Sequence, residues 1–311
     1  LLDAFTSQYM EAQRVPEVTF GWQGGEPLLM GPDFFRRAVQ LQEQYRRPGM
    51  RIINALQTNG TLLDDAWCRF FKEHDFLIGL SLDGPRQLHD VYRVDKRGRG
   101  TFDRVMKGLE LLKKHQVEFN ILTCVHAANA ERSLDVYRFL RDEVGALFVQ
   151  FIPIVERDNE TGFQEGEAVT RRSVTGRQYG EFLIEVFDEW VVRDMGKVSV
   201  QIFDVAIGGF LGCPGGLCVF EETCGRALVL EHNGDVYSCD HFVEPRHKLG
   251  NIREKPLLEL VGSRLQNRFG RAKREQLPEC CRDCEVLFLC NGGCPKNRVL
   301  RSEEGRPLNH L

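Results

Sequence analysis

Residues 18–27 read VTFGWQGGEP, a short apolar run that ends at two glycines. An apolar run of this length, bounded by Gly-Gly, is typical of a buried strand that stops at a tight turn. Polar residues follow the next two apolar runs in the same way, at residues 57–60 (QTNG) and 81–85 (SLDGP). Because catalytic groups of parallel barrels cluster at the carboxyl ends of the strands, we expect these three turns to meet there.

The sequence around these turns alternates between strand-like and helix-like segments. The predicted strands are residues 18–22, 51–57, 76–82, 117–125 and 147–154. The predicted helices are residues 1–13, 32–46, 64–74, 102–115, 131–144 and 179–194. Strands that alternate with helices of about 10–15 residues predict a mostly parallel sheet with crossover helices.

The chain divides where this pattern changes. Residues 1–175 carry the alternating strands and helices, residues 176–210 form a connecting helix and strand region, and residues 211–311 are Gly- and Cys-rich with short elements. Residues 155–173 are polar and rich in Gly and Glu, which makes them the best candidate for a linker or a lid.

Composition and charge limit the classes of function. Of the 311 residues, 42% are hydrophobic and 28% are charged, which is typical of a globular protein with an ample core. The formal net charge of -4 gives no electrostatic argument for binding nucleic acid or anionic lipid. No apolar run approaches the roughly 18–20 residues that a membrane-spanning helix needs.

Cysteines are concentrated in the last third of the chain, where nine of the eleven lie. Disulfides are one interpretation, but disulfide-rich chains are usually small secreted scaffolds without a large α/β core. Structural zinc is a second, favoured by Cys281-x2-Cys284 but not by the irregular further spacing. Iron–sulfur clusters are the third and fit best, because Gly292-Gly293 would let the backbone wrap a bulky inorganic core.

The cysteine spacings also resemble those of a known family. The closest resemblance is to the SPASM domain of radical S-adenosylmethionine enzymes, and it rests on Cys218-x5-Cys224-x9-Gly234-x4-Cys239 followed by Cys281-x2-Cys284-x5-Cys290-x3-Cys294. The x5 spacing of Cys218 to Cys224 and Asp240, directly after Cys239, together narrow the resemblance to the anaerobic sulfatase-maturating enzymes, which oxidise a Cys or Ser of a sulfatase to formylglycine. The first turn agrees, since residues 24–27 are similar to the GGEP motif of that family.

This resemblance implies a fold and cofactors. The implied fold is α/β, a partial (β/α)6 radical-SAM barrel followed by a small Cys-rich SPASM domain. The implied cofactors are S-adenosylmethionine and [4Fe-4S] clusters, with two auxiliary clusters in this chain and one radical-SAM cluster upstream.

The resemblance also implies roles for particular residues. Ser81 would contact the ribose of S-adenosylmethionine and Arg93 its carboxylate, for which a guanidinium offers two parallel donors. The full set of implied cofactor-binding residues is Gly24, Gly25, Glu26, Pro27, Ser81, Arg93 and Ile154. The implied ligands of the first auxiliary cluster are Cys218, Cys224, Cys239 and Cys294. Those of the second are Cys281, Cys284 and Cys290.

One family feature is absent from the sequence. The Cys-x3-Cys-x2-Cys loop, which holds the cluster that reduces S-adenosylmethionine, does not occur. The resemblance places that loop just before Leu1 and a last cluster cysteine just after Leu311. We therefore expect a chain that is truncated at both ends and inactive as written.

Asp240 is the predicted catalytic residue. By resemblance, a hydrogen atom is removed from the Cβ of the substrate residue, and the carbon radical then loses a proton and an electron. A carboxylate beside a cluster ligand would take the proton while the cluster takes the electron. The alternative role for Asp240 is to cap a turn.

Partners and compartment follow from the same resemblance. The implied partners are an unfolded sulfatase polypeptide with a Cys/Ser-x-Pro/Ala-x-Arg motif and a flavodoxin- or ferredoxin-type electron donor. Oxygen-sensitive clusters imply the reducing cytoplasm. Two alternatives stay open, namely another SPASM enzyme that forms thioethers or crosslinks in peptides, and a non-catalytic relative that only carries clusters.

Four cysteines have no place in the SPASM pattern. Cys213 and Cys280 are interpreted as incidental, and Cys68 and Cys124 as core thiols on apolar helix and strand faces. The histidines show no metal-ligand spacing and are assigned no role.

Overall fold

A computed structural model describes residues 1–213 and 216–311. Its centre is a six-stranded parallel sheet in which the spatial order of the strands follows the sequence. The strands are β1 Glu17–Trp22, β2 Arg51–Thr58, β3 Phe76–Ser81, β4 Phe119–Val125, β5 Phe148–Pro153 and β6 Ser199–Val200. Within the described residues β1 and β6 do not pair with each other, so the sheet is open, as in a partial barrel.

Helices precede the first strand and connect the later ones. They are α1 Leu2–Ala12, α2 Pro32–Tyr45, α3 Asp65–Glu73, α4 Arg86–His89, α5 Phe102–Lys114, α6 Ser133–Arg138, α7 Gly176–Arg193 and α8 Gln201–Phe210. The predicted helix 131–144 is divided, because α6 continues as a π-helical turn over Phe139–Glu143. Among the described residues, every helix is too short or too polar to cross a lipid bilayer.

The sixth strand comes from the region that the sequence pattern treats as a connection. Ser199 and Val200 pair in parallel with Phe148 and Val149 of β5, and α8 follows at once. The sequence predicts a strand in this region but counts it with the connection, because a strand of two residues has no period that would assign it to the sheet. Residues 176–210 therefore extend the sheet and pack on it.

Helix α7 shows how local sequence fixes an element. It begins at Gly176, three residues before the predicted start, because Thr175 and Gln178 form a reciprocal capping box. Its inner face presents Phe182, Val186 and Trp190 to the main core, and the indole nitrogen of Trp190 donates to the Val198 carbonyl oxygen at 2.7 Å. Burying such a side chain is worth about 1.5–3 kcal/mol each.

The remaining residues form a smaller part made of short elements. A three-stranded antiparallel sheet consists of β7 Val229–Leu230, β8 Asp235–Tyr237 and β9 Lys248–Asn251, and a hairpin consists of β10 Leu300–Arg301 and β11 Pro307–Leu308. The helices between them are α9 Leu257–Val261, α10 Arg264–Glu275, α11 Glu279–Arg282 and α12 Leu287–Cys290.

This smaller part is anchored on the first helix of the chain. Phe5 of α1 packs against the hydrophobic cluster of this smaller part, which consists of Val236, Ile252 and Leu260. On the same helix, Gln8 accepts a hydrogen bond of 2.7 Å from the Leu257 nitrogen. The smaller part also contacts the carboxyl edge of the sheet, where Gln23, directly after β1, donates a hydrogen bond to Asp240.

Candidate active site

The turn after β1 adopts a backbone conformation that suits glycine. Gly24 has φ +101° and Gly25 has φ +57°, values in the region that side chains disfavour. No atom lies within 4 Å of the Cβ position of either glycine, so the turn is open to a ligand on that side. Pro27 then begins a short 3-10 helix over Pro27–Met30, where its fixed φ favours the first position.

Glu26 ties this turn to the next strand. Its Oε1 accepts hydrogen bonds from the Leu28 nitrogen at 3.1 Å and the Thr58 hydroxyl at 2.8 Å. Its Oε2 accepts one from the Asn59 nitrogen at 2.8 Å. Both carboxylate oxygens are therefore occupied by protein donors. Glu26 positions the turns after β1 and β2 relative to each other and does not present its charge to a ligand.

Arg93 is paired within the protein. Its Nε and Nη2 donate to the two carboxylate oxygens of Asp83, at 2.6 and 2.9 Å, and Nη2 also lies 3.4 Å from the Cys124 sulfur. This fork uses one side of the guanidinium, so a carboxylate ligand would have to bind through Nη1. Ser81, the last residue of β3, is only 6% exposed and lies two residues before Asp83.

Asp83 organises a buried polar cluster at this edge of the sheet. It accepts a further hydrogen bond from the Cys124 nitrogen at 2.8 Å, and its Oδ2 lies 3.8 Å from His126 Nε2. Burial lowers the pKa of His89 to about 4, and its Nδ1 accepts from the Asp83 nitrogen at 3.3 Å. Cys124 belongs to this polar cluster, so its interpretation as a core thiol is wrong, whereas Cys68 does lie in the core.

Asp240 faces the sheet from the smaller part of the protein. Its Oδ2 accepts a hydrogen bond of 2.9 Å from Gln23 Nε2, on the residue before Gly24. Its Oδ1 accepts one of 3.1 Å from the Cys239 thiol. The Asp240 side chain is thus held between the turn after β1 and a cysteine of the SPASM pattern, although Asp240 lies 217 residues after Gln23 in the sequence.

An open cavity of about 570 Å³ lies next to Asp240. One wall is the polar segment that follows β5, including Ile154, Arg157 and Phe163, and the other includes His241 and Lys296. Gln164 of that polar segment receives a hydrogen bond from Arg246 and donates one to Glu244, so the segment is fastened to the smaller part. Ile154 itself is at the cavity, where its backbone nitrogen donates to the Val125 carbonyl oxygen at 2.8 Å.

Four cysteines of the pattern come together beside Asp240. Burial raises the pKa of Cys224 to about 11 and raises the pKa of the other three thiols as well. The charge of Cys294 also raises the pKa of Cys224 and of Cys239, and the charge of Cys218 raises the pKa of Cys294, as expected for thiols that lie near one another. Buried thiolates need a cationic partner, which an iron–sulfur core supplies.

A second group of cysteines follows α10. Cys281 interacts with Cys290 and with its neighbour Cys280, and Cys284 is exposed. Residues 291–293 all have positive φ, with Asn291 at +48°, Gly292 at +71° and Gly293 at +64°. The chain therefore turns sharply between Cys290 and Cys294, as a segment that wraps a bulky group must. All eleven cysteines are free, and Cys213 is exposed.

The residues around both groups fit an iron–sulfur cluster better than a single ion. Within residues 1–213 and 216–311, no three His, Cys, Asp or Glu side chains converge closely enough to hold one metal ion. A four-iron cluster keeps its thiolate ligands farther apart, at the corners of its core. Arg298 has two buried nitrogens, Nη1 and Nη2, that have no hydrogen-bond acceptor among these residues. A cationic donor of this kind suits an anionic group such as a thiolate-ligated cluster.

Several residues of the site were not found from the sequence. Gln23 and Asp83 each follow a predicted strand, so their position at the carboxyl edge was a usable signal. No sequence signal pointed to Lys273 or Arg298, because both look like ordinary surface cations in the sequence. Lys273 is in fact 1% exposed, and its ammonium group donates to the carbonyl oxygens of residues 218, 219 and 221.

Family models match both parts of the chain. The model for the radical SAM superfamily matches residues 6–140, and the SPASM model, described as an iron-sulfur cluster-binding domain, matches residues 218–285. The fold and the cofactor types expected from the sequence are thereby confirmed, namely S-adenosylmethionine and iron–sulfur clusters.

Similar proteins narrow the family. A serine-type anaerobic sulfatase-maturating enzyme of Bacteroides thetaiotaomicron is 46% identical across 100% of this chain and 77% of its own length. A cysteine-type anaerobic sulfatase-maturating enzyme of Clostridium perfringens is 35% identical across 94% of this chain and 78% of its own length. The solved structure of native anSMEcpe with bound AdoMet and Cp18Cys peptide has a TM-score of 0.91 at 32% identity, covering 99% of this chain and 84% of that chain. The chain therefore belongs to the anaerobic sulfatase-maturating enzymes of the radical SAM superfamily.

Proposed function

We propose that this protein oxidises a Cys or Ser side chain of a sulfatase polypeptide to Cα-formylglycine. The observation that carries the proposal is the position of Asp240, which accepts a hydrogen bond from Gln23 at the carboxyl edge of the sheet and directly follows Cys239 of the first cysteine group. A carboxylate in that position is next to the cofactor turn and next to a cluster ligand at the same time. The solved structure of native anSMEcpe contains bound AdoMet and a Cp18Cys peptide, which agrees with this arrangement.

The cofactor site is proposed at the turns after β1, β3 and β5. The backbone of Gly24 and Gly25 would bind the amino group of S-adenosylmethionine, and Glu26 and Pro27 would hold that turn in place. Ser81 would contact the ribose and Ile154 would line the site. Arg93 would bind the carboxylate through Nη1, because Asp83 fixes the opposite side of its guanidinium.

The two cysteine groups are proposed to hold two auxiliary clusters. Cys218, Cys224, Cys239 and Cys294 would bind the first, and Cys281, Cys284 and Cys290 would bind the second. When bound, S-adenosylmethionine supplies a hydrogen-abstracting radical, and the clusters supply an acceptor for the electron that the substrate carbon gives up.

Asp240 would then complete the oxidation by accepting a proton. The substrate side chain loses one hydrogen atom from Cβ, one proton from its hydroxyl or thiol group and one electron, which together amount to a two-electron oxidation. A serine becomes the aldehyde directly, whereas a cysteine becomes a thioaldehyde that water hydrolyses with release of hydrogen sulfide. Gln23 donates to Oδ2 of Asp240 and so orients its carboxylate toward the cavity.

The substrate is proposed to enter through the cavity beside Asp240. An extended Cys/Ser-x-Pro/Ala-x-Arg segment of an unfolded sulfatase needs an open channel, and a cavity of about 570 Å³ bounded by the segment after β5 offers one. A flavodoxin- or ferredoxin-type protein would supply the electrons. Clusters of this kind require a reducing environment, for which we propose the cytoplasm.

Mass spectrometry of peptides tests the proposal. The full-length protein, reconstituted anaerobically, is incubated with S-adenosylmethionine, a reductant and a Cys-x-Pro-x-Arg peptide or its serine counterpart. We expect an aldehyde at the Cys or Ser position of at least one peptide. An unmodified peptide, or a thioether or crosslink in its place, would contradict the proposed function.

An Asp240→Asn variant tests the assigned base. Loss of a general base typically lowers the rate by about 10²- to 10⁴-fold, so aldehyde should nearly vanish while S-adenosylmethionine is still cleaved. Asp188→Asn, which changes an exposed carboxylate on α7, is the matched control and should leave product formation unchanged. Normal product from Asp240→Asn would remove the role of Asp240.

A further inference from the structure

Arg298 is a buried cation whose Nη1 and Nη2 have no hydrogen-bond acceptor among residues 1–213 and 216–311. It lies four residues after Cys294 and is only 7% exposed. Its Nε donates to the Gly292 carbonyl oxygen at 3.3 Å. The four N–H groups on Nη1 and Nη2 find no acceptor in the part of the chain that the structure describes.

A guanidinium in this state is expensive to keep inside a protein. Leaving a charged group buried without a hydrogen-bonding partner costs several kcal/mol. Lys273, the other buried cation in this region, shows the usual solution, since its ammonium group is shared among three carbonyl oxygens. Arg298 therefore needs an acceptor that is not one of the described protein groups.

The surroundings of Arg298 indicate what that acceptor is. Burial lowers the pKa of Arg298, and the nearby thiol groups of Cys224 and Cys294 in the first cysteine group and of Cys281 and Cys290 in the second act on that pKa in the opposite direction. Gly292 also makes room for it, because a Cβ on that glycine would lie 2.8 Å from Arg298 Nη2. A four-iron cluster with thiolate ligands is an anion whose sulfur atoms accept hydrogen bonds, and such bonds help to set its reduction potential.

We propose that Arg298 lies between the two auxiliary clusters and donates its free N–H groups to sulfur atoms of both. These hydrogen bonds would raise the reduction potentials of both clusters. A buried positive charge stabilises the reduced cluster more than the oxidised one, because the reduced cluster is more negative. Both clusters would thus accept an electron more readily. The inference rests on the proposed division of the cysteines into two cluster sites and does not depend on the peptide substrate.

Redox titration followed by electron paramagnetic resonance tests this role. The full-length protein is reconstituted anaerobically with iron and sulfide, and three variants are treated in the same way. Arg298→Gln removes the charge, and Arg298→Lys keeps the charge but loses the fork. Arg301→Gln is the control, because Arg301 is an exposed cation three residues on that pairs with Glu167 at 3.1 Å. The signal that changes on addition of S-adenosylmethionine serves as the internal reference.

We expect Arg298→Gln to shift both auxiliary potentials to more negative values, beyond the spread of replicate titrations, while the reference signal and Arg301→Gln stay unchanged. Unchanged auxiliary potentials in Arg298→Gln, or an equal shift in Arg301→Gln, would overturn the proposal. If Arg298→Gln does not retain iron, Arg298→Lys becomes the test of the proposal. A single ammonium group cannot donate hydrogen bonds to both clusters, so the reduction potential of at least one auxiliary cluster should shift. Two unchanged potentials in Arg298→Lys would then overturn it.

The redox titration and the peptide assay together distinguish a failure of the proposed function from a failure of the role of Arg298. Unmodified protein that retains no auxiliary signals after reconstitution would contradict the assignment of the cysteines. Normal auxiliary signals with no modified peptide would contradict the proposed reaction and leave the effect of Arg298 on the potentials to be read directly.

Discussion

Replacing Glu26 with glutamine should weaken cofactor binding while changing a single atom. The carboxylate accepts three hydrogen bonds, two at Oε1 and one at Oε2 from the Asn59 nitrogen. The glutamine oxygen can keep the two bonds at Oε1. Its amide NH₂ then faces the Asn59 N–H, so a charge-assisted bond is replaced by two opposed donors.

The size of the effect follows from that single lost bond. A hydrogen bond to a charged group contributes about 1.5–3 kcal/mol, and leaving a donor unsatisfied costs about 1–3 kcal/mol. If the turn after β1 must be restored to its ordered state before S-adenosylmethionine binds, a loss of 1–3 kcal/mol lowers the affinity about 5- to 150-fold. Isothermal titration calorimetry of S-adenosylmethionine into the reconstituted full-length protein measures this change.

The control for Glu26→Gln is Glu17→Gln, at the opposite end of β1. Glu17 forms an exposed pair with Arg51 at 3.1 Å, which is worth at most about 1 kcal/mol and lies away from the turns. We expect Glu17→Gln to bind S-adenosylmethionine like the unmodified protein. An unchanged affinity in Glu26→Gln would refute the view that this carboxylate holds the two turns together.

Three further predictions concern other parts of the molecule. Arg93→Lys should lower the affinity for S-adenosylmethionine by about tenfold or more in calorimetry, because an ammonium group cannot reproduce the fork to Asp83; equal affinity would dismiss Arg93 as a ligand. Buried His89 resists protonation, with its pKa lowered from 6.5 to about 4, so stability is full above pH 6.5 and decreases by about 3 kcal/mol as the pH falls to 4. Urea unfolding at several pH values should show that the free energy of unfolding falls less steeply with decreasing pH in His89→Gln than in the unmodified protein. The same pH dependence in both proteins would exclude His89 as the cause. Thr175→Ala should reduce the free energy of unfolding by about 1 kcal/mol through loss of the cap shared with Gln178, with no change in cofactor affinity.

Much of the barrel could be predicted because its strands carry regular apolar runs and alternate with helices. The run 76–82 matches β3, Phe76–Ser81, to within one residue, and the run 51–57 matches β2, Arg51–Thr58, equally well. The turns that follow them could be placed on one edge because parallel strands share their direction. The π-helical turn at Phe139–Glu143 could not, since it depends on how the backbone packs locally.

The site was only partly accessible to sequence reasoning. The division of the cysteines into two groups was implied by the resemblance to the SPASM domain and stays a prediction, since Cys294 is assigned to the first group although it lies 55 residues after Cys239. Contacts between distant residues are a different matter, since Gln23 and Asp240 meet only after both parts have folded. The pairing of Arg93 with Asp83 also escaped, because sequence separation does not say which way a guanidinium points.

The hydrogen bond from Gln23 to Asp240 constrains how proteins of this kind can be recombined. The proposed base belongs to one half of the molecule and its orientation is dictated by the other, so neither half is an interchangeable module. A chimera that joins this barrel to the cysteine-rich half of a distant relative keeps the site only if the junction returns that relative's carboxylate to within about 3 Å of the Gln23 amide. Shuffling libraries with breakpoints between residues 200 and 240 would therefore yield folded chains more often than working ones.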